Sequence, residues 1–481
     1  TDPRAGKSDA WVFNLNSSKQ LRELLFSPSF FAYTALKYSK DSEIDDAEAE
    51  EDFAEWWGSD DAEEETARTG DGNWENASTD KETLNHLITE YQCPFSTLML
   101  EYRKYSKLHG TYAVGLIEQM DRFDHFIRGG LKPHGTKTGR LSSAGPNLQN
   151  QPYSARRLYT SRFGDEGCIS QLDYSQMEVR VAASVAGEAR LLRVYREGGD
   201  VHLETAMRIF ELNKKQMARL EKRDPEKHKL YRTIAKRINF GVLYGATSYA
   251  IVRVLRQNDG TVITQEEADT YIARFFEAYP TLAEWIGEVH KYARRYGYSK
   301  SPFGRRRHVP EVFSDVSDYE NRGRIKRAER QAMNAIVQGA ASDMTTTAII
   351  LIDREFRRLG LRTVLALTVH DSIVLDTPRG EAVQAIKIAR DIMENLPTKA
   401  ASVWGSKFDW SWLKCPIVAD AEVGHNWRDA VKFDPDTDDL DTAMTAALAK
   451  QDGEDKKMRM DFKKLRREHR KLKAEVRNVA A

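Results

Sequence analysis

Long hydrophobic runs are missing from this 481-residue chain: no stretch approaches the ~18 consecutive apolar residues that a membrane-spanning helix needs. Cysteine is scarce. Cys93, Cys168 and Cys415 lie far apart, with no C-x-x-C pair, which speaks against a zinc site or a disulfide framework and for a reducing compartment. The opening Thr1-Asp2-Pro3 has neither an initiator Met nor an apolar signal core. The sequence therefore reads as a fragment or processed chain, not a secreted precursor, and a cytoplasmic location is expected. Net charge is also lacking, since 73 Lys and Arg balance 73 Asp and Glu. Zero net charge does not exclude a polyanionic partner here, because the charges are segregated. Residues 41–65 carry fourteen Asp or Glu and no Lys or Arg, whereas Arg305-Arg306-Arg307 and the C-terminal tail are basic.

An apolar content of 41% allows a sizeable core, and the length calls for several subdomains. Residues 11–30 read as helical, 38–77 as an acidic, loosely packed insert containing Trp56 and Trp57, and 80–128 as helical again. Within the latter, Leu98, Leu100, Tyr102, Tyr105 and Leu108 alternate with Arg103, Lys104 and Lys107, predicting a long amphipathic helix with a basic face. Residues 129–165 are loop-rich. Cys168 to Asp173 alternates like a strand, and the following helix stops at Gly187. Helices dominate 200–300 and 326–358. Leu365–Val369 and Ile373–Asp376 predict two strands joined at His370-Asp371-Ser372.

Three elements carry chemistry. Asp173 sits where a strand gives way to a helix, in LDYSQMEVR. A lone acid there is more often a solvated turn residue. Glu178 closes an S-x-x-E capping box with Ser175, and alone it needs no other role. Asp371 lies at the tip of the apolar hairpin TVLALTVHDSIVLD, where a Gly-containing turn would be usual and a charge invites a cation. Arg232, Lys236, Phe240 and Tyr244, spaced by four in YRTIAKRINFGVLYG, make one helical stripe of two cations and two aromatics. An ordinary amphipathic helix with a polar edge explains that stripe equally well in isolation. Together the elements match nucleotidyl transfer. That reaction uses two divalent ions about 3.5–4 Å apart on hard oxygen ligands, with cations on the transferring phosphoryl group.

LDYSQMEVR, RTIAKRINFGVLYG and TVHDSIV closely resemble motifs A, B and C of family A DNA polymerases, the bacterial polymerase I type. FNLNSSKQLRELLF, LEYRKYSKLHGTY, TGRLSSAGPNLQNQP, DVHLETAMRIF, SPFGRRRHVPE and ERQAMNAIVQGAASD are similar to further family segments in the same order, over residues 11–35 and 78–428. The resemblance implies an α+β right-hand polymerase fold with an antiparallel-sheet palm, helical fingers and a helical thumb. The thumb would span 1–130 with the insert at 38–77, the palm 131–186 and 301–430, and the fingers 187–300 with the motif B helix at 228–245; a tail would follow at 431–481.

The resemblance also implies roles. Asp173 and Asp371, helped by the Tyr174 carbonyl, would hold two Mg2+ ions. Arg232, Lys236 and His202 would grip the incoming triphosphate, with Lys236 also catalytic. Gln176 would join the nucleotide site, Phe240 would pack on the nucleotide, Tyr244 would stack at the templating position and Glu178 would exclude a ribose 2′-hydroxyl. Arg140, Arg330, Asn334 and Gln338 would read the minor groove of the primer–template, and His370 would approach the primer terminus. Primer–template DNA and deoxyribonucleoside triphosphates are the expected partners.

Motif C departs from the common HDE, with Ser372 in place of the last acid. The thumb opens almost at the N-terminus, so no proofreading exonuclease is expected within this chain. The insert and the tail depart from the compact bacterial pattern, which points to a phage origin. Two rivals share some of these features. A single-subunit RNA polymerase often has HDS, but Glu178 and the Arg330–Gln338 segment argue against it. An inactive DNA-binding subunit would usually have lost an acid or a phosphate-gripping cation. The tail adds a heptad-like seam at Met458, Phe462, Leu465, His469, Leu472, Val476 and Val479. Eleven basic and five acidic residues over 454–481 suit a protein partner, the acidic insert or DNA.

Overall fold

The computed structural model describes residues 15–26, 78–91 and 93–479. The acidic insert with Trp56 and Trp57 lies outside the described residues, as do the side chains of the tail seam from Phe462 onward. The chain divides into two compact units, Thr1–Met120 and Asp121–Ala481.

The first unit is helical where described, with helices Ser18–Phe26, Lys81–Tyr91 and Pro94–Lys107 around Leu21, Leu25, Leu84, Leu87 and Met99. The Pro94–Lys107 helix buries Ser96 and Met99, while Leu98 and Tyr105 are exposed. The stripe read from the sequence is therefore borne out only in part. Met99 is buried, with Phe95 and the predicted Leu100 and Tyr102 packed beside it. The predicted long α-helix also changes character, becoming a π-helix over Leu108–Val114.

The second unit holds a mixed α+β core. Strands β1 (Gly130–Lys132) and β2 (Ser142–Ala144) form a hairpin in the loop-rich stretch, and β4 (Tyr298–Lys300) and β5 (Arg306–His308) form another. The main sheet runs β6 (Val364–Val369), β7 (Ser372–Pro378), β3 (Gly167–Tyr174), β8 (Ala419–Gly424), β9 (Val431–Lys432), antiparallel throughout. Alternation along β3 sends Cys168, Leu172 and Tyr174 into the helix-covered core and turns Ile169, Gln171 and Asp173 to the opposite face. The expected β6–β7 hairpin is present, and its two-residue turn, His370-Asp371, puts His370 at φ 58.

Helices between Met177 and Tyr296 continue the same core. The 41-residue helix Tyr319–Leu359 passes through it. One window of that helix has the length and mean hydropathy, 1.4, of a membrane span although it is interrupted by polar residues, and 67% of the window is buried inside the fold. The tail is not wholly an appendage. The helix Leu440–Val479 buries Ala443, Met444 and Ala447 in or against the main core, beside β8 and β9.

Candidate active site

Asp173 ends β3 between two neighbours, paired with Ser372 on β7 and with Asp420 on β8. Cross-strand partners share a face, so Asp420 stands beside Asp173. Glu422, paired with Gln171, follows two residues along that face. Asp371 occupies the turn next to Ser372, which brings the two predicted acids together at one end of the sheet. No ion pair among the described residues involves either acid. Solvent reaches Asp173, but the protein packed around it, then Asp371, Asp420 and Glu422, pushes its carboxyl up to about 7. Burial raises Asp371 also, against the pull of Arg140 and His370. Two crowded carboxylates that disfavour each other's ionisation suit a hard divalent cation. Among the described residues no cluster of three His, Cys, Asp or Glu has ligating geometry. Backbone oxygen, as at Tyr174, and water would complete a coordination shell. Tyr174 is free to serve only through its backbone, since its ring is buried and its hydroxyl donates to the Met393 carbonyl at 3.3 Å.

Glu178 corrects one sequence reading. Gln176 takes a left-handed φ of 53 and becomes the residue before the helix, so Met177 is the first helical residue and no side chain caps the end. Ser175 thus falls outside the capping position, and the box does not form. The buried Glu178 carboxylate instead accepts from Arg140 Nη2 at 2.6 Å and from the Tyr244 hydroxyl. Burial and the Glu178 charge push Tyr244 up to about 12. Gln176 accepts from Tyr195 at 3.1 Å.

The helix Pro225–Leu243 carries the basic–aromatic stripe, with Tyr244 as its C-terminal cap. Arg232 Nε donates to Asp200 Oδ2 at 2.8 Å, while Lys236 is exposed. Asp200 also caps the Val201–Ile209 helix through the His202 and Leu203 amides. His202 is buried, bonded through Nδ1 to Asn239 at 2.9 Å, with its ring 5.8 Å from that of Phe240. Burial lowers its pKa to about 4, so any phosphate contact it makes at neutral pH comes from an uncharged ring. Across from this helix, Arg330, Asn334 and Gln338 recur every four residues on Tyr319–Leu359. Arg330 packs against Gly245, where φ is +66 and a Cβ would come within 2.4 Å of its side chain. Gln338 lies beside the Tyr244 hydroxyl. The structure thus links Arg140, Glu178, Tyr244 and Gln338 in one cluster, with Asp371 within electrostatic reach of Arg140.

Three residues and one pairing escaped the sequence reading. Asp200 was legible as an Asp ahead of a helical pattern, and Asp420 and Glu422 as two acids on one face of the ADAEVG strand. The Arg140–Glu178 pair spans 38 residues and left no local signal.

The second unit thus combines an antiparallel sheet with two acids at one end and a basic–aromatic helix packed on the helix that follows β3. The family model for DNA polymerase family A matches residues 62–429, and the chain belongs to that family. It is 30% identical to the DNA polymerase of Bacillus phage SP01 over 376 residues, covering 76% of this chain and 38% of that protein. It is 33% identical to the thermostable DNA polymerase I of Thermus aquaticus over 341 residues, covering 70% of this chain and 36% of that protein. The chain thus spans little more than a third of the length of these relatives. A solved structure, the POL domain of Pol1 from M. smegmatis in complex with DNA primer-template and dNTP, superposes with a TM-score of 0.63 at 26% identity. The match covers 87% of this chain and 62% of that one.

Proposed function

We propose that this chain adds deoxyribonucleotides to a primer 3′ end under the direction of a template, by nucleotidyl transfer assisted by two Mg2+ ions. The observation that carries the reading is the convergence of Asp173 and Asp371 at one end of the sheet, with the helix of Arg232, Lys236 and Phe240 packed on the Met177–Ala186 helix that follows β3 and joined to it through Tyr244 and Glu178. Bound divalent ions would supply Lewis-acid activation of the primer hydroxyl and neutralise the triphosphate. Asp173, Asp371 and the Tyr174 carbonyl provide the oxygens that hold them. Arg232 exchanges Asp200 for a phosphate oxygen, Lys236 adds a second cation, and neutral His202 donates a hydrogen bond. Glu178, fixed by Arg140 and Tyr244, stands where a ribose 2′-hydroxyl would fall. Tyr244 stacks at the templating position, next to the nucleotide packed on Phe240. Arg330, Asn334, Gln338 and His370 meet the primer–template, whose minor-groove acceptors vary little with sequence. The helices between 187 and 300 act as fingers, those before residue 131 as a thumb. The polymerase structure bound to primer-template and dNTP supports these partners. The test is extension of a labelled primer with Mg2+ and either deoxy- or ribonucleotides. Deoxynucleotide extension is expected; extension with ribonucleotides alone would favour an RNA polymerase, and none with either would refute an active enzyme.

A further inference from the structure

The helix Leu440–Val479 changes partners along its length. Its first turns are buried against the sheet. Its middle is tied down by polar contacts: Gln451 accepts from Asn426 at 3.1 Å, Glu454 from Arg428 at 2.9 Å, and Asp455 pairs with Arg157. Trp427, in the same loop as Asn426 and Arg428, donates to Gln171, which shares the open face of β3 with Asp173. The helix is therefore rooted beside the catalytic face of the sheet. Past Asp455 the described side chains are exposed, Met458 and Met460 among them.

We infer that residues 456–479 form a basic arm that grips the phosphate backbone of double-stranded DNA held by the palm; this rests on the polymerase reading above. Charge carries the argument. The chain as a whole has no net charge, yet 456–479 hold eleven Lys or Arg against Asp461, Glu468 and Glu475. At 100° per residue the six described cations, Lys456, Lys457, Arg459, Lys463, Lys464 and Arg467, fall in an arc of about 160°, and Asp461 lies just beyond one border of it. The described cations Lys456, Lys457, Arg459, Lys463, Lys464 and Arg467 are exposed, and none forms an ion pair among the described residues. The segment is about 36 Å long at 1.5 Å per residue, close to one duplex turn of about 34–36 Å. A one-sided cationic rod of that length matches a phosphate backbone, whose neutralisation releases counterions and makes binding salt-dependent.

The experiment compares the full chain with a full-length variant carrying Lys456→Gln, Lys463→Gln, Lys464→Gln and Arg467→Gln. A control removes four exposed cations elsewhere, Lys214→Gln, Lys215→Gln, Lys222→Gln and Arg223→Gln. Primer–template affinity is measured between 50 and 200 mM salt, alongside single-nucleotide incorporation at saturating DNA and solution mass. The arm variant should bind DNA at least tenfold more weakly at the low-salt end. Its slope of log affinity against log salt should be shallower by about 2 to 4, near 0.9 for each phosphate no longer neutralised, with incorporation unchanged. The control should match the parent. If the parent does not incorporate nucleotide, the polymerase reading falls. If it does, and the arm variant binds with the parent's slope or no worse than the control, the arm does not hold DNA. A parent dimer that the arm substitutions dissociate, with unchanged DNA binding, would make the helix a self-association surface and also overturn the inference.

Discussion

Replacing Glu178 with Ala separates the two roles that its position allows. The carboxylate is 9% exposed and accepts a charged hydrogen bond from Arg140, itself 26% exposed, and another from the Tyr244 hydroxyl. Hydrogen bonds to a charged group contribute about 1.5–3 kcal/mol each, and breaking a buried pair costs about 3–5 kcal/mol. The partial exposure of Arg140 tempers both figures, so Glu178→Ala should cost about 2–4 kcal/mol. Unfolding entropy near 2.1 cal/mol/K per residue over a unit of this size converts that loss into a fall in Tm of about 3–5 °C. Sugar discrimination should collapse at the same time, with ribonucleotide incorporation rising at least tenfold relative to deoxyribonucleotide. Glu178→Gln keeps the volume and an acceptor for Tyr244, and should retain most of the discrimination while losing the negative charge that pairs with Arg140. Differential scanning calorimetry and single-turnover incorporation with matched deoxy- and ribonucleotides read both quantities. A Glu178→Ala protein with a Tm within 1 °C of the parent and unchanged sugar selection would show that the Arg140–Glu178–Tyr244 cluster neither holds the cleft nor filters the nucleotide.

Asp173, held near 7, must lose its proton to bind a cation, so affinity for Mn2+ should strengthen as pH rises from 6 to 8, with proton uptake by buffer seen calorimetrically; a flat affinity would contradict the crowding of the four acids. The fold holds His202 neutral, with a pKa near 4 against about 6.5 unfolded, so its contribution is complete above pH 6.5 and is lost as pH falls through 4. That contribution is about 3 kcal/mol, and His202→Gln should flatten urea-derived stability between pH 4.5 and 7; parallel profiles for parent and variant would refute it. Asp200→Asn keeps an acceptor for the His202 and Leu203 amides but frees Arg232, so stability should hold within about 1 kcal/mol while KM for nucleotide falls severalfold. An unchanged KM would mean that Arg232 never leaves Asp200.

Period-two alternation and the apolar hairpin made β3, β6 and β7 legible, and with them the meeting of Asp173 and Asp371. The four-residue stripe placed Arg232 to Tyr244 on one element, because helical periodicity is written locally. What failed was phase and long-range pairing. The Pro94–Lys107 helix packs Leu100 and Tyr102 as expected but centres on Met99 and leaves Leu98 and Tyr105 exposed, because those two were counted as core by hydrophobicity alone. The S-x-x-E pattern at Ser175 was a false cap, since the left-handed turn at Gln176 shifts the helix start by one residue. Once shifted, Glu178 was available to Arg140, a partner no sequence window contains. The tail reading joined the composition change near residue 430 to the basic run after 454, whereas the structure buries the first turns of one continuous helix, ties Gln451, Glu454 and Asp455 by polar contacts, and exposes the described side chains beyond them.

The central claim is that Asp173 and Asp371 together hold the divalent ions on which nucleotidyl transfer depends. Asp371→Asn is close to isosteric at a turn with no ion pair to lose, so the fold should survive it. Single-turnover extension of a primer by one deoxynucleotide in Mg2+, measured beside primer–template affinity, is the direct test. Removing one ligand charge should withdraw several kcal/mol of transition-state stabilisation, which at about 1.4 kcal/mol per decade is a loss of at least a thousandfold. DNA affinity should stay within about threefold of the parent. Extension within tenfold of the parent, with DNA still bound, would contradict the assignment of Asp371 to the metal site.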